Sequence, residues 1–353
     1  MINVVDDDAH SGRRPRTEEE WKAAEQQWDA LSVANDVRVW SAGWRAAGDP
    51  DLERVEWGRF HHWRGPADDV PGLLRCLAGP DPQEARQALR GLRDRLIQEM
   101  ATSAPAALAV PFLLRMAADS AAHCRAGALY LAAWAGHRVN FVVETRSTLF
   151  WVEWPVDEFT FGPGEADRSD WSIQAAREAL GADAGILIDL VDDDDPEVRI
   201  AAVFALATAL DLPRSADGAL RARLAVEPDP AVRVSLVLAI GQLGGDAGEA
   251  ERRWRDPALP GDVRFAAALA WLCVTDLPAP ADLTGLLTEL TTPETEQVML
   301  RVPWAEFTSL EAQQRLPASP WPADNLTGGL AGWLAELLAD AFGKRYWVPF
   351  PRK

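Results

Sequence analysis

Apolar residues recur at helical spacing along most of the chain, in stretches of about three turns separated by short polar turns. Three stretches are near copies. They are Asp195-Pro-Glu-Val-Arg-Ile-Ala-Ala-Val-Phe-Ala-Leu, Asp229-Pro-Ala-Val-Arg-Val-Ser-Leu-Val-Leu-Ala-Ile and Gly261-Asp-Val-Arg-Phe-Ala-Ala-Ala-Leu-Ala-Trp-Leu. Weaker copies begin at Asp81-Pro-Gln-Glu-Ala-Arg86 and at His123-Cys-Arg125. The arginines Arg86, Arg125, Arg199, Arg233 and Arg264 stand at gaps of 39, 74, 34 and 31 residues. The long gap spans about two periods and has room for one unit, largely replaced by an insertion.

Each unit predicts a helix with a defined start. Asp195 and Asp229 are placed to cap free backbone N–H groups, and Pro196 and Pro230 follow at the first helical position, where a missing N–H costs nothing. A second apolar-periodic stretch precedes each such helix, at Ala184–Val191 and Gly218–Val226. One helix pair cannot bury its apolar face alone, so neighbouring pairs must stack. Gly241-Gln-Leu-Gly-Gly245 reads as a helix end.

The pattern resembles the HEAT repeat, in its shorter phycobilin-lyase-like form, over roughly residues 65 to 290 with the insertion excepted. The resemblance implies an all-α fold, an α-solenoid of HEAT-like helix pairs. It also implies that the repeat positions Asp195, Arg199, Asp229, Arg233, Asp262 and Arg264 form an internal ladder of structural ion pairs.

The period changes between Arg138 and Trp171. Val139–Glu144 and Thr148–Trp154 are β-branched and aromatic, joined by Thr145-Arg-Ser147, and read as a β-hairpin inserted into the repeats. Extended strands would put Phe150, Val152 and Trp154 on one face and Trp151 and Glu153 on the other. The acidic loop beyond carries Asp157, Glu158, Phe159 and Phe161. Residues 139–170 hold seven acids and two arginines, a net charge of −5. Aromatic anchors beside acids suit a basic protein surface, so Phe150, Trp151, Glu153, Trp154, Asp157, Glu158, Phe159 and Phe161 are the candidate binding residues. The alternative is a hairpin that only plugs a gap between repeats.

The predicted organisation is a disordered tail over residues 1–16, a Trp-rich helical cap over 17–64, repeats over 65–302 with the insertion at 138–170, and a proline-rich loop with a capping helix over 303–353. Thr17 and Glu20 form a capping box ahead of Trp21, Trp28, Trp40 and Trp44. Leu330, Trp333, Leu334, Leu337, Leu338 and Phe342 share one face of the last helix. The tryptophans of these caps sit on apolar stripes and are expected in the core.

Charge narrows the function. The net charge of −19 opposes nucleic acid and anionic membranes and favours a basic protein partner. Cys76, Cys124 and Cys273 are scattered and suit a reducing, cytoplasmic compartment. The longest apolar run, Ile200–Leu210, is too short to span a bilayer.

Candidate chemistry is sparse. Asp192–Asp195 could suggest calcium, but Pro196 and Glu197 occupy the fifth and sixth positions of an EF-hand-type loop. His61-His62 and His123-Cys124 are adjacent pairs that cannot both face one ion from a helix. No zinc, P-loop, dinucleotide or nucleophile-elbow spacing occurs. The expectation is a non-enzymatic protein-binding scaffold with no metal and no cofactor. An immunity or antitoxin-type protein neutralising a basic toxin is a sharper form of it. The resemblance alone implies two enzymatic alternatives, a chromophore lyase and a DNA glycosylase, and the acidity opposes the second.

Overall fold

In the computed structural model, residues 19, 36–46, 51–62, 64–98, 101–137, 146–150, 166–304 and 329–339 are described. Among them are fifteen α-helices and two short β-hairpins. The helices are α1 (Val37–Ala46), α2 (Val70–Leu77), α3 (Pro82–Leu96), α4 (Ala104–Ala118), α5 (Arg125–Ala135), α6 (Ala166–Ala182), α7 (Ala184–Leu190), α8 (Pro196–Thr208), α9 (Ser215–Val226), α10 (Pro230–Gln242), α11 (Ala247–Arg255), α12 (Gly261–Val274), α13 (Ala281–Leu290), α14 (Pro293–Met299) and α15 (Gly329–Ala339).

The expected caps are present. The Asp195 carboxylate accepts from the Glu197 N–H at 2.9 Å, and that of Asp229 from the Ala231 and Val232 N–H groups at 2.9 and 3.2 Å. Asp81 does the same at the start of α3. Pro82, Pro196 and Pro230 each stand at the first helical position. At the far end of α10, Gly244 takes a φ of 122° and the Gly245 N–H closes on the Gly241 carbonyl at 3.1 Å. A side chain at Gly244 would be strained there, which is why glycine ends this helix.

Helices pair in chain order: α2 with α3, α4 with α5, α7 with α8, α9 with α10, α11 with α12. The second members also pack on one another in sequence, α3 on α5, α5 on α8, α8 on α10 and α10 on α12. This row is the centre of the core. Val198–Thr208 of α8 is buried at every position, and α10 and α12 are buried nearly throughout. Helices apolar on all sides must be covered on all sides. The first helices cover one side. The remaining surface is covered by Arg146–Phe150, which packs on α12, by α14, which packs on α10, and by the segment leading to Trp304.

The long gap between Arg125 and Arg199 holds no extra pair among the described residues. It holds α6, which packs on α4, α5 and α1. Gly181 in α6 admits the Leu210 carbonyl so closely that an added Cβ would sit 1.9 Å from that oxygen.

Several expectations need correction. Arg146–Phe150 forms a 3-10 helix, so Thr148, Leu149 and Phe150 do not begin a β-strand. Leu149 is buried in the core and Phe150 is packed against it, and that packing overrides the β propensity of the segment. The rest of the predicted hairpin, 139–145 and 151–154, lies outside the described residues. The observed hairpins are elsewhere: β1 (His61–His62) with β2 (Gly65–Pro66), and β3 (Ile97–Gln98) with β4 (Ala101–Thr102), both antiparallel. Within the predicted N-terminal helical cap, α1 is the helix described over 36–46, and residues 51–62 form two 3-10 turns and a strand. The predicted tail, the capping box, Trp21, Trp28 and Phe342 lie outside the described residues. In the caps, Trp40 is half-buried and Trp333 is buried.

Candidate partner-binding surface

Arg125, Arg199 and Arg233 join successive helix pairs through ion pairs. Arg199 is 5% exposed. Its guanidinium donates to both Glu227 carboxylate oxygens at 2.8 and 3.0 Å, and to the Asp193 and Asp194 carbonyls at 2.7 and 3.0 Å. Arg233 repeats this one unit later. It donates to both Asp262 oxygens at 2.7 and 3.1 Å and back to the Glu227 and Pro228 carbonyls at 3.1 and 2.8 Å. Arg125 donates to Asp193 at 3.1 Å and to the Ala117 carbonyl at 2.8 Å. Each of these three arginines thus ties its own turn to both carboxylate oxygens of an acid of the following unit. Arg264 reaches back to the Trp254 carbonyl at 3.2 Å.

The acids of this ladder differ from those expected at two of three rungs. Asp195 and Asp229 cap their own helices, while Asp193 and Glu227, each two residues earlier, take the arginines. Asp262 matches the expected position. The signal was in the sequence, since both Asp-Pro starts carry an acid two residues upstream. It was masked by the run Asp192–Asp195, where any of four acids could have served.

Burial pushes the Glu227 carboxyl up, but hydrogen bonds from Arg223, Arg199 and the Asp229 N–H outweigh it and hold it below its ordinary value of 4.5. Asp193 follows the same logic: burial raises it, and Arg125 with the Asp195 N–H brings it below 3.8. Both are ionised at neutral pH, as structural ion pairs require.

The insertion is anchored at its root. Arg146 is buried and donates to the Leu277 carbonyl just beyond α12. The Phe150 ring lies where a Cβ on Gly241 would meet it at 3.2 Å. Of the candidate binding residues, Phe150 is therefore part of the packing. Trp151, Glu153, Trp154, Asp157, Glu158, Phe159 and Phe161 lie outside the described residues. Beside this root the Leu277 side chain is 63% exposed, and Leu243, two residues after Gly241, is 36% exposed.

A second element was not foreseen. Residues 301–304 run back over the central row. Arg301 donates to Glu197 of α8 at 2.7 Å and to both Asp229 oxygens at 3.0 and 3.1 Å. The Trp304 indole N–H donates to Gln242 at 2.7 Å, and its ring meets Phe204 edge-on at a centroid distance of 5.1 Å. Gln242 in turn donates to the Ala207 carbonyl at 2.8 Å. This segment is proline-bearing and aperiodic, so nothing in the sequence pattern tied it to α8 or α10.

His62 and His123 have structural partners. His62 is buried, its Nε2 lies 2.9 Å from Asp69, and its Nδ1 accepts the Arg64 N–H at 3.0 Å. His123 contacts the Pro80 carbonyl through Nε2 at 2.7 Å. No group of three or more His, Cys, Asp or Glu side chains among the described residues is arranged to hold a metal ion. A cleft among the described residues, between α10, α11 and α12, has room for about one water at 10 Å³. No described helix is long and apolar enough to cross a membrane.

No family model, curated protein or solved structure matches the chain.

Proposed function

We propose that this chain is an α-solenoid of HEAT-like helix pairs that serves as a non-enzymatic scaffold for a basic protein partner. The observation that carries the architectural half is the repeated arginine clamp, Arg125 to Asp193, Arg199 to Glu227 and Arg233 to Asp262, each joining one pair to the next. The partner half is supported by the net charge of −19 and by an acidic insertion of net charge −5. The described root of that insertion is bonded through Arg146 to the carbonyl of Leu277, whose side chain is 63% exposed and offers an apolar contact. Such a pairing gives a cationic partner long-range attraction and a short-range anchor.

A cytoplasmic setting fits three unbridged cysteines. An immunity-type protein that captures a cationic toxin is the form of this reading in which electrostatic steering matters most, because capture must outpace damage.

The test is affinity capture from the native cell with the whole chain, beside a Trp151→Ala/Trp154→Ala variant. The expected result is a basic partner whose association rate falls steeply as salt rises, and whose yield falls in the variant. A rate indifferent to salt counts against the electrostatic half. Equal yield from the variant counts against the insertion.

A further inference from the structure

The β1–β2 turn is closed by a histidine that uses both ring nitrogens. The His62 side chain is 2% exposed. Its Nδ1 meets the Arg64 backbone N–H at 3.0 Å. A backbone N–H can only donate, so Nδ1 is the acceptor and carries no proton. The neutral ring then bears its proton on Nε2 and donates it to Asp69 at 2.9 Å. Asp69 is shared. It stands at the start of α2, and its other oxygen accepts from Arg95 at the end of α3. Partial burial pushes the Asp69 carboxyl up, but the hydrogen bonds from His62 and Arg95 outweigh it and hold it below 3.8. The hairpin itself is short. His62 pairs with Gly65 and His61 with Pro66, and Gly65 takes a φ of 126° that suits glycine. His61, Arg64 and Pro66 are exposed and Gly65 is half-buried, so the described turn lies on the surface with only His62 turned inward.

Proton uptake acts on the two ring contacts in opposite directions. A proton on Nδ1 turns the acceptor into a donor facing another donor, and the Arg64 N–H loses its partner. The Nε2–H stays on Asp69, and that contact becomes an ion pair. We propose that His62 is a proton switch for the β1–β2 turn, which is closed while the ring is neutral and opens when the ring is charged. The turn bond is complete at higher pH and is lost as pH falls through the titration of the ring. The ring keeps its place, because Asp69 holds an imidazolium more firmly than an imidazole. What the turn loses is offset there, so the change is confined to the exposed turn and α2 and α3 behind it keep their contacts. The other charges on the elements around the ring are engaged elsewhere or exposed. The Arg64 guanidinium is turned to Asp94 at 3.8 Å, Arg95 is bound to Asp69, and Asp68 is exposed. β1 also packs on α4, whose charged residue, Arg115, is held by Asp183 at 2.8 Å. The switch is separate from the scaffold reading above and needs no partner.

The test is nitrogen-15 NMR of the full chain across a pH titration, reading the His62 ring and the Arg64 amide together. His62→Gln, which cannot titrate, assigns the ring signals. If that variant does not fold, the ring is assigned in the unaltered chain through its contact with the Arg64 amide proton. At neutral pH the ring is expected to be bare at Nδ1 and protonated at Nε2, with the Arg64 amide protected from hydrogen exchange. As the ring takes up its proton, the protection of Arg64 is expected to fall at least about tenfold, while amides inside α3 and α10 keep theirs. Asp69→Asn removes the charge that favours the imidazolium, so the ring titration and the loss of Arg64 protection are expected to move together to lower pH. A ring protonated at Nδ1 at neutral pH overturns the proposal. So does a ring that titrates while Arg64 protection is unchanged, or one that stays neutral until the chain unfolds. Protection lost from Arg64, α3 and α10 at once, or a titration unmoved in folded Asp69→Asn, overturns it equally.

Discussion

Replacing Arg199 by methionine removes one charge from the best-buried ion pair described in the protein while keeping most of the side-chain volume. The Arg199 and Glu227 side chains are 6% and 0% exposed. Deleting one partner of such a pair leaves the other charge in a medium that solvates it poorly, at a cost of about 3–5 kcal/mol. Arg223 remains 2.6 Å from Glu227 and the Asp229 N–H remains at 2.8 Å, so the carboxylate is not abandoned. The lower end is therefore expected, about 3 kcal/mol. The Asp193 and Asp194 carbonyls lose their guanidinium donor as well, but Asp194 is exposed and water can replace it. Arg199→Met/Glu227→Met removes both charges, and its cost is expected not to exceed that of Arg199→Met alone, a coupling of roughly 1–3 kcal/mol between the sites. The assay is urea unfolding followed in parallel by far-ultraviolet circular dichroism and tryptophan fluorescence. Coincident transitions are required before free energies are compared, because stacked repeats can unfold in parts. A cost for Arg199→Met below about 1 kcal/mol, the level of a surface pair, would refute the reasoning. Additive costs in the double variant would refute it equally.

Three further outcomes follow from the same contacts. Asp195→Ala should cost about 1 kcal/mol through its lost helix cap, and Asp229→Ala should cost more because that carboxylate also accepts from Arg301; urea midpoints rank the two. Gly181→Ala places a Cβ 1.9 Å from the Leu210 carbonyl oxygen, and Leu210 is itself held by its N–H to the Arg177 carbonyl at 3.1 Å, so neither side yields easily. A loss of about 3 kcal/mol is expected, and a thermal midpoint unchanged from the unaltered chain would contradict it. Glu227 and Asp193 both have folded-state values below their ordinary 4.5 and 3.8. Their stabilisation is complete above those ordinary values and is lost as pH falls through the lower folded ones. Urea midpoints should therefore hold steady from neutral pH down to about 4.5 and decline below it, and the decline should be shallower in Glu227→Gln.

The helix pairs of the repeats were legible because their causes are local. A capping aspartate, a proline at the first turn and apolar residues every three or four positions act within a few residues of chain, and α8 and α10 begin where those signals place them. The glycine that ends α10 is legible for the same reason, since only backbone geometry at Gly244 decides it. The need for pairs to stack also follows from pattern alone, because Val198–Thr208 is too apolar to leave any side in water.

What tertiary structure decided is every contact made across sequence distance. Periodicity marked Arg199 and Arg233 but could not choose among Asp192, Asp193, Asp194 and Asp195 as the acid facing Arg125, because that choice depends on how one turn lies beside another. The stretch around Thr148–Phe150 has the composition of a strand, yet burial of Leu149 and Phe150 on the central helices makes it a 3-10 turn. Arg301 and Trp304 lie 104 residues from Glu197 and 62 from Gln242 in the chain. No local rule connects them, and only the folded stack brings the two carboxylates and the aromatic slot to the spacing that one short segment can bridge.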